Sequence, residues 1–348
     1  MKIIILNNLP IETGLGRYVY NLYLALKDDG ARVMNFPNSY DYECKNFVGE
    51  IYEPRFRSRL NNAVFLKLSH RNALKEIMGF DGIVHYAGHS MPIFKSNATK
   101  IGTVHDFFPF EYRHIGNRFD TYTIYMQRNL KRILKLDNVI VTTNINKKKL
   151  LEEYGYNGNV FVVPYSCSKE FVRLPNKVKL REELKLPKDK VLILSVSNNS
   201  PHKNLSILPN VMRSLGDRYS LVRVGEKIGD SITFNYADSS TMNKIYNACD
   251  ILVFPSLEEG FGFPLIEAFA TGLPVVVSDI PVFHEIGGDV PLFVNNRNPE
   301  SIANGIREAY RNLEELSKKG SDRSKIYDLS TLRNNMIEVY CKILERSA

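Results

Sequence analysis

The sequence lacks the features that mark several common classes of protein. Its cysteines lie far apart, at Cys44, Cys167, Cys249 and Cys341, and none belongs to a C-x-x-C pair, which argues against a zinc ribbon or a disulfide scaffold. No apolar run approaches the roughly 18 residues of a membrane span. The first residues, MKIIILNN, hold too short an apolar run for a signal peptide and indicate a buried strand. We therefore expect reduced thiols and a cytoplasmic protein.

Several nucleotide- and metal-binding motifs are also missing. The sequence contains no D-x-D, and its nearest approach is Asp41-Tyr42-Glu43, so a metal-bound diphosphate has no support. No cluster of histidines and cysteines indicates zinc. Neither G-x-x-x-x-G-K-S/T nor G-x-S-x-G occurs, which weakens the interpretations as a P-loop nucleotide hydrolase and as an α/β-hydrolase.

The composition indicates a globular chain of two domains. The 348 residues exceed what one hydrophobic core usually serves, and 44% hydrophobic with 24% charged residues is ordinary for a folded protein. The net charge of +8 is uneven, because residues 1–165 hold 22 lysines and arginines against 15 acidic residues, a balance of +7. The first half therefore favours an anionic partner.

Apolar runs alternate with amphipathic segments twice along the chain. The first half carries strand-like runs at 2–6, 82–87, 100–106, 138–143 and 159–164, and helical segments at 17–30 and 120–136. The second half has strand-like runs at 191–197, 220–225, 250–256 and 274–279, and closes on helices near 299–318 and 330–346. This order predicts an α/β protein with two Rossmann-like, doubly wound domains facing a cleft. We expect a first domain at 1–168 and a second at 169–330, with a C-terminal helix of about 330–348 that could pack back on the first.

One stretch, SLEEGFGFPLIEAFATGLPVVVSD at 256–279, frames a glycine-rich apolar turn with carboxylates. The strand-like DILVFPS leads into it, Pro264 suits the first turn of a helix, and Gly272 suits its end. The turn therefore lies at the carboxyl end of a strand, where open α/β sheets bind ligands. Because a carboxylate beside a phosphate is repelled by about 4 kcal/mol at an effective dielectric of roughly 20, we expect the glutamates to accept hydrogens from hydroxyls, as a sugar and a ribose supply them.

This stretch resembles the E-x7-E signature of the retaining glycosyltransferases of family 4, which have the GT-B fold. The resemblance covers nearly the whole chain, and it places Glu259 first and Glu267 second, with the neighbour at 258 outside. It implies that Glu259 lies by the donor sugar and that Glu267 accepts hydrogen bonds from the ribose. It also implies that sugar and phosphate lie near the amides of Gly260, Phe261 and Gly262. The alternative is that the two acids only interact with the dipole of the helix, which would stabilise it by about 0.3–1 kcal/mol. This alternative does not explain a charged Glu267 inside an otherwise apolar helix.

Two stretches of the first half fall in register with the same family. TGLGRYVYNLYLAL at 13–26 resembles its glycine-rich loop, where Gly14 and Gly16 would let backbone amides meet the donor diphosphate and Arg17 would add a cation. A lone G-x-G fits a plain turn equally well. TVHDFFP at 103–109 resembles the family's strand-end His-Asp, which implies that His105 touches the donor sugar; a structural histidine is the alternative.

The segment SVSNNSPHKNL at 195–205 resembles the place where the family usually carries Gly-Arg and then Lys-Asn. Lys203 matches the lysine and is expected to bind the diphosphate, with a solvated lysine as the alternative. The arginine is missing, because Ser197 or Asn198 occupies its position. Members of the family with this form lean toward mannosyltransferases. Charge compensation is left to Lys203, Arg17 and the helix amides.

The nucleobase is expected near FNYADSS at 234–240, since the corresponding loop of the family contacts the base. This loop holds Tyr236, Ala237 and Asp238, and a plain surface loop is an equal alternative. An acid such as Asp238 could accept two hydrogens from guanine, which favours a GDP-sugar over a UDP-sugar.

The stretch 54–78 is basic, with apolar residues at helical spacing between cations such as Arg55, Arg57 and Arg59. A basic amphipathic helix can lie on an anionic membrane or meet a lipid-linked phosphate, which would place the protein at the inner face of the membrane. A packed helix with a charged outer face is the alternative. The sequence has no recognised nucleic-acid reader motif, and we expect no nucleic-acid partner.

The resemblance and the residues that carry it predict a retaining hexosyltransferase of mannose or glucose type. It would use a GDP- or UDP-linked donor, a hydroxyl of a glycan or lipid-linked acceptor, and neither a metal nor another cofactor. His105, Glu259 and Lys203 are the expected catalytic residues. Two alternatives remain open: a sugar-nucleotide epimerase of similar fold, and a nonenzymatic basic protein that binds ligands or nucleic acid.

Overall fold

The structure is a computed structural model that describes residues 1–11, 13–36, 47–52, 71–88, 92–111 and 121–347. The chain divides into two compact units. The first unit comprises Met1–Ser166 with Leu329–Ala348, and the second comprises Cys167–Asp328. The domain boundaries expected from the sequence, 168 and 330, lie close to these divisions. The basic stretch 54–78 lies outside the described residues up to position 70.

The first unit is built on a parallel sheet of seven strands. They are β1 Ile3–Asn7, β2 Ala31–Asn35, β3 Glu50–Ile51, β4 Ile83–Tyr86, β5 Thr99–Val104, β6 Asn138–Val141 and β7 Asn159–Val162, in the order β3-β2-β1-β4-β5-β6-β7. Five helices accompany them: α1 Gly14–Leu26, α2 Arg71–Gly79, α3 Phe108–Glu111, α4 Thr121–Ile133 and α5 Asn144–Glu152. The strand order reverses beside β1, which makes the sheet doubly wound.

The second unit repeats this architecture with six parallel strands. They are β8 Val191–Val196, β9 Tyr219–Val224, β10 Ile232–Phe234, β11 Ile251–Phe254, β12 Val275–Ser278 and β13 Leu292–Val294, in the order β10-β9-β8-β11-β12-β13. The helices are α6 Lys177–Glu183, α7 Leu208–Leu215, α8 Ser239–Ala248, α9 Phe263–Thr271, α10 Pro281–Gly287, α11 Pro299–Arg311 and α12 Leu313–Ser324. The prediction of two doubly wound α/β domains is confirmed.

The strands follow the apolar runs of the sequence. IIILN in β1 and ILVF in β11 are buried at every position, as expected when helices cover both faces of a parallel sheet. Every strand expected from an apolar run is present. The helix expected at 299–318 is instead two helices, α11 and α12, which meet at Asn312. Among the described residues, no helix combines the length and the apolar character needed to cross a bilayer.

The last helix, α13 Leu329–Ser347, belongs to the first unit. It buries Met336, Tyr340 and Ile343 there. The Tyr340 hydroxyl lies 2.8 Å from Nδ1 of His85 in β4, and His85 Nε2 lies 2.7 Å from the Thr103 hydroxyl in β5. Burial lowers the pKa of His85 to about 3, so the ring is neutral and its two nitrogens act as one donor and one acceptor. A buried polar chain thus connects the C-terminal helix with the sheet.

Candidate functional site

The turn from β11 into α9 lies at the carboxyl edge of the second sheet, where all strands end on the same side because they are parallel. Gly262 has a φ of +108°, and a Cβ there would lie 3.1 Å from Phe283 Cε1, so the turn requires glycine. Pro264 lies in the first turn of α9 and Gly272 caps its end, as the sequence predicts. Phe261 is buried, so this apolar segment contributes to the core.

Glu259 is the buried member of the adjacent pair of glutamates at 258 and 259. Its Oε1 accepts hydrogen bonds from Ser256 Oγ and from Lys203 Nζ, each at 2.7 Å. The side chains of Lys203 and Glu259 are 16% and 6% exposed. Sequence reasoning assigned these two residues to different parts of a ligand and missed their contact. Because water is largely excluded, the ion pair is held more strongly than an exposed pair would be.

Lys203 reaches Glu259 because the residue after it fixes the backbone. Asn204 has the left-handed conformation, with a φ of +53°. Its side-chain amide donates to the carbonyl oxygens of Pro255 at 3.2 Å and Asn296 at 2.7 Å. The loops that follow β8, β11 and β13 are therefore joined at one point, and this junction places the lysine against the glutamate.

Glu267 is almost fully buried in α9, with 1% of its surface exposed. The Tyr246 hydroxyl in α8 donates to its Oε2 at 2.7 Å. Tyr246 is itself fully buried, and its ring packs edge-on against Phe171. Sequence reasoning did not identify Tyr246, because a tyrosine in an amphipathic helix is usually part of the core. The carboxylate that seemed out of place in an apolar helix therefore has a specific buried partner.

The residues of the loop expected to contact the nucleobase differ in exposure and in hydrogen bonding. Tyr236 is 63% exposed, and Ala237 is half-buried. Asp238 is the N-cap of α8, because its Oδ1 accepts from the Thr241 amide at 2.7 Å. The hydrogen bond from Thr241 holds the pKa of Asp238 below its ordinary value. Capping uses one of the roughly four lone-pair sites of the carboxylate, so the expected contact of Asp238 with guanine stays a prediction.

Ser197 and Asn198 follow β8 directly, and they differ in their surroundings. Ser197 is half-buried and contacts Arg223, whose Nη2 donates to the Ser197 carbonyl at 2.7 Å and whose Nη1 donates to its hydroxyl at 3.3 Å. Asn198 is exposed. Sequence reasoning missed Arg223. The available signal was an arginine within the apolar strand SLVRVG, where a charged side chain needs buried partners.

The glycine-rich loop of the first unit forms a capped helix start. Thr13 is the N-cap of α1, and its hydroxyl accepts from the Gly16 amide at 2.9 Å. A Cβ at Gly16 would lie 1.8 Å from the Pro10 carbonyl oxygen, so the close approach of this loop explains the glycine without a ligand. Gly14 begins the helix and is exposed, and Arg17 is half-buried. The expected contact of these residues with a diphosphate stays a prediction.

His105 follows β5 and is 3% exposed. Its Nε2 lies 2.6 Å from the Ala87 carbonyl oxygen, and its Nδ1 contacts the Tyr165 hydroxyl. Because a carbonyl can only accept, Nε2 carries the proton, and Nδ1 of a neutral ring accepts from Tyr165. A sugar hydroxyl that approached either nitrogen would compete with one of these bonds. The expected contact of His105 with the donor sugar stays a prediction.

Two family models match the chain, one in each unit. The model described as "Glycosyltransferase Family 4" matches residues 13–166, and the model described as "Glycosyl transferases group 1" matches residues 176–325. The second match contains β8, Lys203, Glu259 and Glu267, and the first contains α1 and His105. Together they span both units.

The O-antigen chain mannosyltransferase RfbU of Salmonella typhimurium is similar to this chain. It is 28% identical over 277 residues, which are 74% of this chain and 73% of that protein. Shorter matches include a serotype-specific mannosyltransferase, WbdA, of Escherichia coli, which is 42% identical over 65 residues, 19% of this chain and 8% of that protein.

Solved structures show the same fold at low identity. The sucrose-phosphate synthase of Thermosynechococcus elongatus superposes with a TM-score of 0.77 at 18% identity, covering 99% of this chain and 100% of that one. HepE of Anabaena, solved in complex with UDP-glucose, gives a TM-score of 0.74 at 15% identity, covering 98% and 100%. With both family models matched and two parallel-sheet units present, the chain belongs to the family 4 type of glycosyltransferases with the GT-B fold.

Proposed function

We propose that the protein is a retaining hexosyltransferase that moves a hexose from a nucleoside diphosphate sugar to a hydroxyl of a glycan or lipid-linked acceptor. The observation that carries the proposal is the ion pair of Lys203 and Glu259 beside the amino end of α9. A cation and a carboxylate held together at the carboxyl edge of a parallel sheet suit a ligand that carries a phosphate beside a hydroxyl-bearing ring. A nucleotide sugar is such a ligand.

The two charged groups have capacity for this ligand. The Lys203 ammonium has three N–H donors, and Glu259 uses one of them, which leaves two for phosphate oxygens. Glu259 receives both of its hydrogen bonds, within the described part of the chain, on Oε1. Its Oε2 therefore suits a hydroxyl of the hexose. In this arrangement the glutamate also aims the lysine toward the phosphate.

The remaining parts of the donor follow the direction of α9. Amides at the beginning of a helix favour phosphate and hydroxyl oxygens, and Gly260, Phe261 and Gly262 lead into this helix. Glu267 would accept hydrogen bonds from the ribose, with Tyr246 fixing the orientation of its carboxylate. The other predicted donor contacts, untested so far, are Gly14, Gly16, Arg17, His105, Ser197, Asn198, Tyr236, Ala237 and Asp238.

The reaction we propose needs no nucleophile from the protein. The bond between the anomeric carbon and the diphosphate oxygen breaks, and the acceptor hydroxyl oxygen bonds to that carbon on the same face. The acceptor proton passes to the departing diphosphate oxygen. Lys203 stabilises the charge that grows on the diphosphate, and this kind of fixed electrostatic stabilisation is often the largest contribution to catalysis.

The hexose we propose is mannose, because the most extensively aligned relative named above is a mannosyltransferase. The nucleotide of the proposed donor is GDP or UDP. Asp238 in the loop 234–240 favours GDP, since its carboxylate keeps acceptor sites for guanine beside the one that caps α8. A glucose donor is the second candidate, since HepE was solved with UDP-glucose.

The acceptor proposal includes a membrane-associated glycan. It rests on the basic stretch 54–78 and on the O-antigen relative. Co-sedimentation with anionic vesicles tests it, with the wild-type protein compared with a variant in which Arg55, Arg57 and Arg59 are neutralised. Weaker sedimentation of the variant is expected. Equal sedimentation would contradict a role of these cations at a membrane.

The experiment for the main proposal is a turnover assay with a panel of donors: GDP-mannose, GDP-glucose, UDP-glucose and ADP-glucose. Release of the nucleoside diphosphate is measured for the wild type and for Glu259→Gln and Glu258→Gln. We expect release from one donor, a loss of about a hundredfold in Glu259→Gln, and little change in the neighbouring control. Unchanged release in Glu259→Gln, or an equal loss in the control, would contradict the role of Glu259.

The same assay separates the alternatives. An epimerase would convert the sugar into its epimer and would transfer it to no acceptor. A nonenzymatic protein would release nothing from any donor. Transfer or hydrolysis that is lost in Glu267→Ala supports the glycosyltransferase.

A further inference from the structure

Arg223 is the largest fully buried side chain of the described residues, with 0% of its surface exposed. It lies near the carboxyl end of β9, where its Cα is paired with that of Ser195 in β8. Burial of a guanidinium is costly unless its donors are bonded and its charge is balanced. A buried arginine near the carboxyl edge of this sheet, beside the proposed donor site, therefore needs a structural or functional explanation.

The donors of Arg223 are bonded, but only to neutral acceptors. Nη1 donates to the carbonyl and hydroxyl oxygens of Ser195, at 3.2 and 3.1 Å, and Nη2 donates to the Ser197 carbonyl at 2.7 Å. Nε is 3.4 Å from the carbonyl oxygen of Glu226. The Glu226 carboxylate is directed elsewhere, since its Oε2 accepts from Asn199 at 2.6 Å. Within the described ranges, no carboxylate forms an ion pair with Arg223, and the Glu226 carboxylate acts on its charge only from a distance.

The surrounding backbone is closed around this guanidinium. Gly225 has a φ of +128°, and a Cβ there would lie 2.8 Å from Arg223 Nη2 and 2.3 Å from the Ser197 carbonyl oxygen. A side chain at 225 would displace both groups. The glycine therefore lets the ends of β8 and β9 approach until the arginine holds Ser197 directly.

Ser197 is the first residue of the loop that leads from β8 to Lys203. The sequence places an uncharged residue there, although the loop borders the proposed diphosphate site. Arg223 bonds both polar oxygens of this serine, its hydroxyl and its carbonyl. The loop therefore has a positive charge in contact with its first residue, and the neighbouring strand β9 contributes it.

We propose that Arg223 is a positioning residue for the donor diphosphate: it orients Ser197, and its charge, which no ion pair offsets among the described residues, favours the phosphates at the loop between β8 and Lys203. The inference rests on the proposed function, because it assumes a nucleoside diphosphate sugar on the second unit. Arg223 acts through Ser197 and through its field, since none of its surface is open to a ligand. Burial lowers the pKa of Arg223 to about 10, so it remains a cation at neutral pH.

The test compares a nucleoside diphosphate with the corresponding nucleoside, because only the former carries the phosphates. Binding of GDP or UDP, whichever the wild type prefers, and of guanosine or uridine is measured by calorimetry for the wild type, Arg223→Met and Arg223→Lys. We expect Arg223→Met to weaken diphosphate binding by about tenfold and to change nucleoside binding by less than about twofold, whereas Arg223→Lys recovers most of the loss. A purely structural role would weaken both ligands alike and would not be rescued by lysine.

A second variant covers the case in which Arg223→Met does not fold, since this substitution removes a buried donor from the carbonyls of Ser195 and Ser197. Glu226 is exposed and is the acid whose charge acts on Arg223. Glu226→Gln keeps an acceptor for Asn199 and removes that charge, so we expect diphosphate binding about twofold tighter and nucleoside binding unchanged. No change in diphosphate binding by Glu226→Gln, or wild-type affinity in a folded Arg223→Met, would overturn the inference alone. Absence of any nucleotide binding by the wild type would overturn the proposed function as well.

Discussion

Lys203 Nζ and Glu259 Oε1 lie 2.7 Å apart, and both side chains are largely withdrawn from water. Each group would be unfavourable there alone, because a buried charge without a partner costs several kcal/mol. Ser256 adds a second hydrogen bond to the same carboxylate oxygen. At this scale the site is a small set of mutually dependent charges, and removal of one of them exposes the others.

Replacement of Lys203 by methionine tests this dependence. We expect Lys203→Met to lower the free energy of unfolding by about 1–3 kcal/mol, because Glu259 keeps its burial and loses its cation. Diphosphate binding should fall by at least about tenfold. Chemical unfolding and calorimetry measure the two effects. Lys227, which is exposed, provides the control Lys227→Met, and equal effects of the two substitutions would contradict the role of the ion pair.

Tyr246 gives a second test at this scale. Tyr246→Phe removes one hydroxyl and leaves Glu267 Oε2 without that donor, so we expect a loss of about 1–3 kcal/mol in the free energy of unfolding. Tyr219→Phe, at a half-buried tyrosine, should cost much less. Thermal and denaturant unfolding of both variants measure the difference, and the expectation fails if Tyr246→Phe is as stable as the wild type.

The individual residues of the site were predictable only in part. The role of Glu259 at the donor, inferred from a family motif, stays a prediction. Pro264 and Gly272 could be placed because their positions at the two ends of α9 depend on the local order of strand, turn and helix. The contacts of Lys203 with Glu259, Tyr246 with Glu267 and Arg223 with Ser197 could not, since each joins elements that are far apart in the sequence. Their positions depend on sheet order, which brings β9 and β11 to either side of β8.

At the scale of elements, the apolar runs identified strands well because parallel strands are buried on both faces. β2 was missed, since ARVMN is short and carries the exposed Arg32 between apolar residues. The boundary between α11 and α12 was also missed, because RNLEEL continues the helical pattern through Asn312. The turn before α9 was predicted because its glycines and proline have strong local preferences.

The turn itself can be tested at Gly262. Gly262→Ala combines a φ of +108° with a Cβ only 3.1 Å from Phe283, so the turn must shift. Gly216→Ala is the matched control, since Gly216 has a φ of +81° and open space around its Cβ position. We expect Gly262→Ala to cost about 1 kcal/mol more in the free energy of unfolding and to weaken donor binding, while the control leaves binding unchanged. Equal costs and unaltered binding would show that the turn tolerates a side chain.

At the scale of the whole molecule, each unit is a parallel sheet of its own, and the first takes residues from both ends of the chain. Tyr340 in α13 and His85 in β4 are 255 positions apart and in hydrogen-bond contact. The sequence suggested that the last helix could pack on the first domain, but it gave no sign of this polar chain. The sequence alone does not show that His85 is buried or which residues it contacts, because its partners lie on other elements.

The buried His85 makes the stability of the protein depend on pH. Its pKa is about 3 in the folded protein and 6.5 as an ordinary histidine, so its contribution to stability is present above about pH 6.5 and is lost as the pH falls toward 3. Between pH 6.5 and 5, the free energy of unfolding should fall by up to about 1.4 kcal/mol per pH unit from this group. Carboxylates add their own dependence, so the measurement compares the slopes of the wild type and His85→Gln. Equal slopes would show that His85 does not titrate in this way.

Retaining transfer from a nucleotide sugar can be tested by the anomeric configuration of the first product. Proton NMR during turnover of the donor selected by the panel, with the acceptor or with water, reports the anomer before mutarotation. We expect a product with the anomeric configuration of the donor, formed together with one nucleoside diphosphate and lost in Glu259→Gln. A first product of opposite configuration would contradict the claim, as would a sugar isomerised without transfer.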